Sequence, residues 1–405
     1  METRHFRALI LLVPAIILIG IGVFIRMRST EPGLGPSDQS EIALRSLPYL
    51  DWHPADRSDI EKRGVTLHNP DNSCDGLNLY NHDSMSECYL MDMSGAVLHT
   101  WSRPEGDWHD VEVLENGDLL VAERDGMLLR LDWASRVEWA SDRRYHHDVT
   151  VAQTGDIYAL TWDVLQIPCG DSTIPIVNDY VTILAPDGTV KQDISMFELF
   201  GDWITEEERD MIREHMNNAK SAGETVEVKP QTIFDVFHTN TVDILEESVE
   251  GVARQGDLLI CIRNLDMVAI IGVSGNQAVW RLDRDDLDKP HQPGMVGGNI
   301  LVFDNGAERG YSRVLEINAL TGETIWEYEG DPRESFFSQT RGGCQRLPNG
   351  NTLIAESNEA HVFEVTPKGE IVWEFYGTEV KKALRRRRPI YRMTRLAPDY
   401  LSLIP

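Results

Sequence analysis

Cysteine is scarce in this chain, with five among 405 residues. Cys169, Cys261 and Cys344 lie far apart and lack the spacing that metal ligands usually have, so a cysteine metal site is not predicted. Cys74 and Cys88 flank one predicted hairpin, where a disulfide and two free thiols are both compatible with the spacing. Cysteine chemistry therefore gives no basis for a functional prediction.

Basic residues are also few, with 38 Lys and Arg against 66 Asp and Glu and a formal net charge of −28. Such an acidic chain argues against nucleic-acid binding and for a soluble, exported body. The charge is uneven, because residues 381–395 contain eight basic residues and no acidic one. We interpret this segment as a solvated or membrane-surface strap, which we favour over a nucleic-acid site.

Long hydrophobic runs are absent except at residues 8–25, which are uncharged. Basic residues flank this run on both sides and no small-residue cleavage site follows it, so residues 1–28 are predicted to form an uncleaved signal anchor and transmembrane helix. The flanking charges favour neither orientation strongly, and we place the body outside the cytoplasm, in the periplasm or at the cell surface. Residues 29–60, rich in Pro, Ser, Gly and charge, are predicted to be a linker.

Short turns recur along the rest of the chain, each flanked by alternating apolar residues. Asn-Gly and Gly-Asp pairs suit tight hairpins because Gly and Asn accept positive φ at little cost. The turns are Asn116-Gly117-Asp118, Thr154-Gly155-Asp156, Gln255-Gly256-Asp257, Gly297-Gly298-Asn299 and Asn349-Gly350-Asn351, with a weaker copy at Asp75-Gly76.

A second turn, followed by an aliphatic residue and usually by tryptophan, lies outside the first in every copy. Six inner and six outer turns make six repeats of about four strands, with a period near 40 to 50 residues. This pattern predicts an all-β fold, a six-bladed β-propeller over residues 61–380, followed by a basic tail over 381–405. We interpret the tryptophans as packing between blades. The outer copies are SGAVLHTW, ASRVEWA, PDGTVKQ, SGNQAVW, TGETIW and KGEIVW.

Residues 193–228 interrupt the repeat with a helical pattern. Thr205 and Glu208 resemble a capping box, and Ile204, Ile212 and Met216 supply part of an apolar face. The insertion is interpreted either as a cover over the channel mouth or as a plain surface elaboration.

Histidines stand at the starts of four predicted inner strands. His109 precedes Gly117 by eight residues, as His147 precedes Gly155, and His238 and His291 lead later copies. The innermost strands of a propeller line its channel, so these histidines are expected to meet at one mouth.

Arg263 follows an inner turn in the same predicted blade as His238 and is expected to join this set. Carboxylates recur only as Asp110 and Asp148, which gives little support to glycoside hydrolysis by paired carboxylates. A metal site formed by three histidines is an alternative interpretation of this set. However, an arginine repels a cation, whereas imidazolium and guanidinium groups suit a tetrahedral oxyanion such as sulfate or phosphate. A neutral imidazole is also able to act as a nucleophile.

Nine segments, in order along the chain, carry a family resemblance that covers nearly all of residues 64–400. These segments are YLMDMSGAVLHTW, HHDVTVAQTGDIYAL, DYVTILAPDGTV, FHTNTVDIL, LLICIRNLDMVAII, HQPGMVGGNILVFDNG, RVLEINALTGETIWEYEG, RGGCQRLPNGNTLIAES and VFEVTPKGEIVWEF. The sequence resembles the bacterial arylsulfotransferases. The resemblance implies a six-bladed propeller that moves a sulfuryl group from a phenolic sulfate ester to another phenol, without a nucleotide sulfate donor or other cofactor. It also implies that a histidine is transiently sulfated.

Position by position, His291 matches the family nucleophile, and His238 with Arg263 matches the pair that holds the sulfuryl group. His147 matches a further histidine and is assigned proton transfer with the phenols. His109 and Asn240 are predicted to contact substrate, Asn240 as an oxyanion donor, and no metal ligand is assigned.

The sequence departs from the family at the nucleophile, where Pro290-His291-Gln292 replaces Gln-His-Asp, so the group that orients the imidazole differs. Two other functions remain. One is a non-catalytic propeller that binds an anionic ligand or a protein partner, since propellers host many functions. The other is a metal-dependent hydrolase or lyase.

Overall fold

The computed structural model describes residues 53–54, 60–273, 277–282 and 285–404, all within one compact unit, Pro48–Pro405. The predicted signal anchor and nearly all of the predicted linker lie outside the described residues. In the part that is described, no helix is both long and apolar enough to cross a membrane.

Strands make up most of the described chain. In the first half they are β1 (His53–Pro54), β2 (Gly64–His68), β3 (Leu77–His82), β4 (Glu87–Met91), β5 (Val97–Ser102), β6 (Trp108–Val113), β7 (Leu119–Glu123), β8 (Gly126–Leu131), β9 (Val137–Val151), β10 (Ile157–Cys169), β11 (Ser172–Leu184) and β12 (Val190–Ser195). The helices α1 (Met196–Phe200) and α2 (Glu206–Ala222) follow.

The second half repeats the same pattern of short strands. These strands are β13 (Thr239–Ile244), β14 (Leu258–Ile262), β15 (Met267–Gly272), β16 (Gln277–Arg281), β17 (His291–Val296), β18 (Asn299–Asp304), β19 (Arg313–Asn318), β20 (Thr324–Glu329), β21 (Gly343–Arg346), β22 (Thr352–Glu356), β23 (His361–Val365), β24 (Ile371–Tyr376), β25 (Val380–Lys381), β26 (Arg386–Arg387) and β27 (Ile390–Leu396).

The strands form antiparallel sheets in which consecutive strands pair, as in propeller blades. Two sheets have the orders β13-β14-β15-β16 and β17-β18-β19-β20, and a third, β2-β24-β23-β22-β21, adds β2 at its edge. A seven-stranded sheet runs from β6 to β12, because the 15-residue β9 pairs with β8 through its first part and with β10 through its last part. The predicted all-β, propeller-like fold is therefore confirmed.

The innermost strands form a closed ring of neighbours: β6 contacts β9, which contacts β13, and the contacts continue through β17, β21 and β27 back to β6. β27 closes the ring by pairing with β3, in the sheet β27-β3-β4-β5. The basic segment 381–395, which we interpreted from the sequence as a solvated or membrane-surface strap, therefore contains most of an inner strand. Lys381 and Lys382 are exposed, but Arg387 and Arg395 are buried.

Apolar faces of successive sheets pack together, because each strand alternates the faces to which its side chains point. Leu160, Ile176 and Val181 share one core with Ile260 and Ala269 of the next sheet. The inner turns provide the chain reversals, and Gly155 (φ 83°) and Gly350 (φ 88°) adopt the left-handed conformation that such turns need. The described chain has no disulfide, and all five cysteines are free thiols.

The tryptophans of the outer strands pack against neighbouring outer turns, as the sequence predicted. In four cases the indole N–H donates to a carbonyl at such a turn. These pairs are Trp139 with Pro186 at 3.1 Å, Trp280 with Ala319 at 3.1 Å, Trp326 with Pro367 at 2.9 Å and Trp373 with Met93 at 2.9 Å. Three of these bonds join one sheet to the next, and the bond of Trp139 joins β9 to the β11–β12 turn within the seven-stranded sheet.

The helical insertion packs on the long hairpin of β10 and β11. The predicted capping box is present, since Thr205 and Glu208 hydrogen-bond each other's backbone N–H groups. Ile212 of α2 is buried in the core that includes Ile174, and Arg209 donates to the Pro168 carbonyl at 2.9 Å. The chain leaving α2 then leads into the residues just before β13.

Candidate active site

The inner strands share an irregular position at which backbone pairing skips a residue. His109 falls between the pairs Trp108 to Glu123 and Asp110 to Ala122. Asn240 and Tyr391 occupy the same kind of gap in β13 and β27. Such bulges redirect side chains and occur often beside active sites.

His147 also lies in such a gap, between Tyr145 and Val149 of β9. His238 does not, because it precedes the first residue of β13, and Asn240 takes the equivalent place in that strand. The prediction that four histidines share one register is therefore wrong for His238. It is also wrong for His291, which pairs with Phe303 and lies just before the gap in β17. His238 and His147 both have a left-handed backbone conformation, with φ 51° and φ 55° respectively. Such strained conformations cluster at active sites.

The five side chains His109, His147, His238, Arg263 and His291 are close together, and we call them the histidine site. The ring centroids of His109 and His147 are 4.5 Å apart, and those of His147 and His238 are 4.8 Å apart. The backbone N–H of Arg263 donates to the His238 carbonyl at 3.2 Å. Arg263 and His238 both act electrostatically on His291. The tertiary structure thus brings together the residues predicted to act in transfer.

The orientation of His291 is determined by its Nδ1, which lies 2.7 Å from Oδ1 of Asn305 and 3.1 Å from the Lys289 carbonyl. The Asn305 amide nitrogen donates to the carbonyls of Ser338 (2.6 Å) and Arg341 (2.7 Å), so Oδ1 is the acceptor. Two acceptors at Nδ1 require that it carry the proton. Nε2 of His291 is therefore the unprotonated ring nitrogen.

The His291 imidazole is also kept uncharged. Burial, followed by the positive charge of Arg263, lowers the pKa of His291 to about 3, although the hydrogen bond to Asn305 opposes this shift. A neutral imidazole with a free Nε2 is the form that attacks as a nucleophile.

His238 is paired with a carboxylate that the sequence analysis missed. Its Nδ1 lies 2.5 Å from Oδ2 of Asp235, which also accepts the backbone N–H of Gln231 at 2.7 Å. Burial opposes ionisation of Asp235, but the His238 imidazole holds the pKa of this carboxyl below its ordinary value. Asn264 joins the cluster by donating to the Asp235 carbonyl at 2.6 Å, while Arg263 donates to Oδ1 of Asn264 at 2.9 Å.

His109 and His147 are neutral. Burial is the main reason that the pKa of each ring lies well below its ordinary value. The next cause is the positive charge of Arg124 for His109, and the His109 ring for His147. Nδ1 of His109 accepts the backbone N–H of His147 at 3.0 Å, so its proton is on Nε2. The Tyr391 ring contacts the His109 ring at an angle of 45° with centroids 4.6 Å apart, and its hydroxyl donates to the His147 carbonyl at 3.0 Å.

Asn240 supports the nucleophile's backbone. Its Nδ2 donates to the Pro290 carbonyl at 2.8 Å, and its Oδ1 accepts the Thr241 hydroxyl at 3.0 Å. One amide hydrogen of Asn240 is thus already used in a hydrogen bond to the residue before His291. The predicted role of Asn240 as an oxyanion donor stays a prediction.

Asp110 and Asp148 act as links between inner strands. Asp110 accepts the backbone N–H of Val149 at 3.3 Å, and Asp148 accepts that of Val242 at 3.0 Å. Arg392 of β27 donates to both carboxylates, at 3.2 and 2.7 Å. These carboxylates therefore join strands around the ring.

A small cavity of about 20 Å³ lies among the inner strands. Its lining includes His109, His147 and His291 but neither His238 nor Arg263. This volume suits about one water molecule. A larger cavity of about 610 Å³, at the other end of the inner strands, contains none of the predicted site residues.

Metal binding finds no support in the described part of the chain, where no group of three or more His, Cys, Asp or Glu side chains is arranged to hold an ion.

Several residues of the site had no signal strong enough in the sequence. Asp235 stands three residues before His238, and Asn305 follows β18 in a segment that resembles an ordinary turn. Tyr391 lies within the basic segment, although the alternation in IYRMTRL is that of a strand.

Solved structures similar to this chain match it at low sequence identity. A protein of unknown function from Bacteroides caccae has a TM-score of 0.52 and 11% identity, with 79% of this chain and 98% of that chain covered. A streptogramin B lyase has a TM-score of 0.44 and 13% identity, covering 83% of this chain and 89% of that one. No curated protein matches the sequence.

The family comparison is more specific. The model of the family described as Arylsulfotransferase (ASST) matches residues 110–378, well over half of the chain. That range includes four of the five residues of the histidine site, all but His109, and it also includes Asp235 and Asn305. The chain belongs to the arylsulfotransferase (ASST) family.

Proposed function

We propose that this protein is an aryl-sulfate sulfotransferase that moves a sulfuryl group from a phenolic sulfate ester to a phenol through a sulfohistidine on His291. No nucleotide sulfate donor takes part. The observation that carries the proposal is the state of His291, a neutral imidazole whose Nδ1 is bound to Asn305 and whose Nε2 is free, beside Arg263. Family membership supports the transferase class.

In the first half-reaction, the lone pair on Nε2 of His291 attacks the sulfur of the ester. The N–S bond forms while the S–O bond to the aryl group breaks, and the phenolate leaves with the electron pair and takes a proton from His147. Arg263 and His238 stabilise the negative charge on the transferring oxygens.

In the second half-reaction, the oxygen of an acceptor phenol attacks the sulfur on His291. The O–S bond forms while the N–S bond breaks, and the phenol proton passes to His147. Both His147 and His291 then return to their starting protonation states, so the cycle is balanced and follows ping-pong kinetics.

The full chain incubated with 4-nitrophenyl sulfate tests this proposal. We expect release of 4-nitrophenol that depends on added phenol, and a gain of one sulfuryl group on the peptide that contains His291 when phenol is omitted. His291→Ala should lose both, whereas His361→Ala, which changes a histidine outside the site, should keep both. Unchanged transfer in His291→Ala would remove the nucleophile assignment.

A second candidate is a non-catalytic propeller that binds an anionic ligand. It is favoured by the small cavity of about 20 Å³ beside His291, which is too small for an aryl sulfate. Saturable binding of 4-nitrophenyl sulfate without transfer or sulfation of His291 would favour this candidate.

We further propose that the fold has six blades. Six inner strands that contact one another in a ring support this count, with the seven-stranded sheet contributing two blades through β9 and β27 completing the blade of β3 to β5. The equivalence of the bulged residues His109, Asn240 and Tyr391 agrees with it.

We also propose that residues 8–25 anchor the protein in a membrane and that the propeller lies outside the cytoplasm. The uncharged run in the sequence supports the anchor. Membrane fractionation of the full chain and protection of the propeller from added protease in sealed inside-out vesicles test these two points separately.

A further inference from the structure

His146 is buried behind His147 and lies between it and a carboxylate. Its Nδ1 is 2.7 Å from Nδ1 of His147, and its Nε2 is 3.7 Å from Oδ1 of Asp179. Asp179 is itself buried, and its Oδ2 accepts the backbone N–H of Thr239 at 2.6 Å. His147, His146 and Asp179 therefore form a continuous line of polar groups that begins at the cavity lining and ends in the protein interior.

The short distance between the two Nδ1 atoms means that one proton lies between them, because two unprotonated nitrogens would repel each other. When that proton belongs to His147, the neutral His146 carries its own proton on Nε2, facing Asp179. Nε2 of His147 is then unprotonated and able to accept a proton.

We propose that His146 and Asp179 form a proton relay for His147 that runs in both directions, with Asp179 protonated and the His147 proton on Nε2 before the donor reacts. When the leaving phenolate takes the His147 Nε2 proton, the His146 Nδ1 proton moves to Nδ1 of His147 and the Asp179 proton moves to Nε2 of His146, which leaves Asp179 as a carboxylate. When the acceptor phenol then gives its proton to Nε2 of His147, the His147 Nδ1 proton moves back to Nδ1 of His146 and the His146 Nε2 proton moves back to Asp179. One proton leaves and one enters in each cycle, and neither ring becomes an imidazolium or an imidazolate. The inference rests on the proposed function, because it assigns the route of the proton that the phenols exchange with His147.

The surroundings of the rings are the reason that such a relay is needed. Burial and the neighbouring imidazoles lower the pKa of His147 well below its ordinary value, and burial with His238 lowers that of His146 to about 4. Neither ring holds an extra proton readily at neutral pH. Burial and the charge of Asp235 raise the pKa of Asp179, so its carboxylate is a better place for the proton.

The other two carboxylates that act on His146 are already bound to other side chains, so Asp179 is the carboxylate that pairs with His146. Asp235 is bound to His238 at 2.5 Å, and Asp148 is bound to Arg392 at 2.7 Å. The 3.7 Å between Nε2 of His146 and Asp179 is longer than a hydrogen bond. Catalytic hydrogen bonds are often long in the unliganded enzyme and shorten when substrate is bound.

Two donors with different leaving groups test the relay. 4-Nitrophenolate leaves without needing a proton, whereas the phenolate from phenyl sulfate is much more basic and does need one. We expect His146→Gln and Asp179→Asn to slow the single-turnover sulfation of His291 by phenyl sulfate about 100-fold, and to change the rate with 4-nitrophenyl sulfate about twofold or less. The control His361→Gln should change neither rate.

The outcomes distinguish a proton relay from a purely structural role of the two residues. Equal losses with both donors mean that His146 and Asp179 only support the structure, and no loss with either donor also overturns the relay. If the wild-type protein itself fails to sulfate His291, the proposed function fails, which is a different result from a wild type that sulfates His291 with variants that show no donor dependence.

A measurement without substrate guards against variants that fold poorly. In the wild-type protein, the proton between His146 and His147 should give a low-field imidazole ¹H resonance coupled to ¹⁵N. This resonance should disappear in His146→Gln and shift in Asp179→Asn. Its absence from the wild-type spectrum would overturn the relay whatever the activity of the variants.

Discussion

Asn305 offers the sharpest test of how this site is organised, because it is the group bound to Nδ1 of the proposed nucleophile. Its side chain makes three hydrogen bonds, to Nδ1 of His291 and to the carbonyls of Ser338 and Arg341, at 2.7, 2.6 and 2.7 Å. Asn305→Ala removes all three in a place where the asparagine is fully buried. Both the reactivity of His291 and the stability of the fold should therefore change.

The expected loss of reactivity has two parts. The hydrogen bond to the neutral ring contributes about 1 kcal/mol to the choice of tautomer, which corresponds to about a fivefold smaller preference for the reactive form. Looser positioning of the ring adds up to about 100-fold. We expect the single-turnover sulfation rate of His291 to fall between about 5- and 500-fold, or about 1.0 to 3.7 kcal/mol in the barrier.

The stability loss comes from the two carbonyls that lose their donor. Each unsatisfied buried carbonyl costs about 1–3 kcal/mol, so the free energy of unfolding should fall by about 2–6 kcal/mol, and by less where a water molecule replaces the amide. Urea denaturation measures this quantity.

Asn351 provides a matched control, because its amide also donates two hydrogen bonds, at 2.8 and 2.7 Å, but at an inner turn away from the histidine site. Asn351→Ala should lower stability without lowering the sulfation rate of the folded protein. Two-bond ¹H–¹⁵N spectra should show His291 protonated at Nδ1 in the wild type and as a tautomer mixture in Asn305→Ala. An unchanged rate and tautomer in Asn305→Ala would refute the reasoning.

Three further predictions concern stability. His361 lies between two carboxylates, and although burial opposes its protonation, these hydrogen bonds raise its pKa above the ordinary value. Its contribution to stability is then fully present below about pH 6.5 and is lost as the pH rises through the folded-state pKa, so the stability gap between wild type and His361→Gln in urea should be wider at about pH 5.5 than at about pH 9. Arg392→Met should cost about 3–5 kcal/mol in urea denaturation, because it leaves two buried carboxylates without their cation, whereas Arg136→Met, at a side chain that is 79% exposed, should stay within about 0.5 kcal/mol. Thr205→Ala should lower the free energy of unfolding by about 1 kcal/mol, because it removes the helix cap. A loss confined to the far-UV circular dichroism signal of the insertion would also agree with this prediction. An unchanged free energy of unfolding together with an unchanged far-UV signal would contradict it.

Local signals in the sequence were sufficient for most of the fold. Turns such as the one at Gly155 need a residue that accepts positive φ, and strands beside them need alternating apolar residues, so both leave a visible pattern. The capping box at Thr205 is likewise a local feature, and the structure confirms it. The basic segment was misinterpreted because its charge obscured the alternation in β27, and only the pairing of β27 with β3 revealed its place.

The candidate site was predictable in its membership but not in its geometry. His147 and His291 were recognised because the sequence pattern placed them at the starts of predicted inner strands, and Arg263 because it follows a predicted inner turn. The register assigned to His238 was wrong, since it lies outside β13 and reaches the site from the preceding loop. The register assigned to His291 was also wrong, since His291 is a paired residue of β17 and the gap follows it. Asp235 had no sequence signal, because its distance from His238 is set by the path of the chain after α2.

The sequence by itself determined the repeat, the acidic charge, the family and the histidines that belong together, because each of these depends on residue type and short-range spacing. The tertiary structure alone decided which ring nitrogen of His291 is free, which carboxylates face His238 and His146, and how the last strand closes the ring. These properties depend on contacts between residues far apart in the chain, such as the 2.7 Å from His291 to Asn305 and from Arg392 to Asp148. A proton's position is set by the partners around it, and those partners are assembled only when the chain has folded.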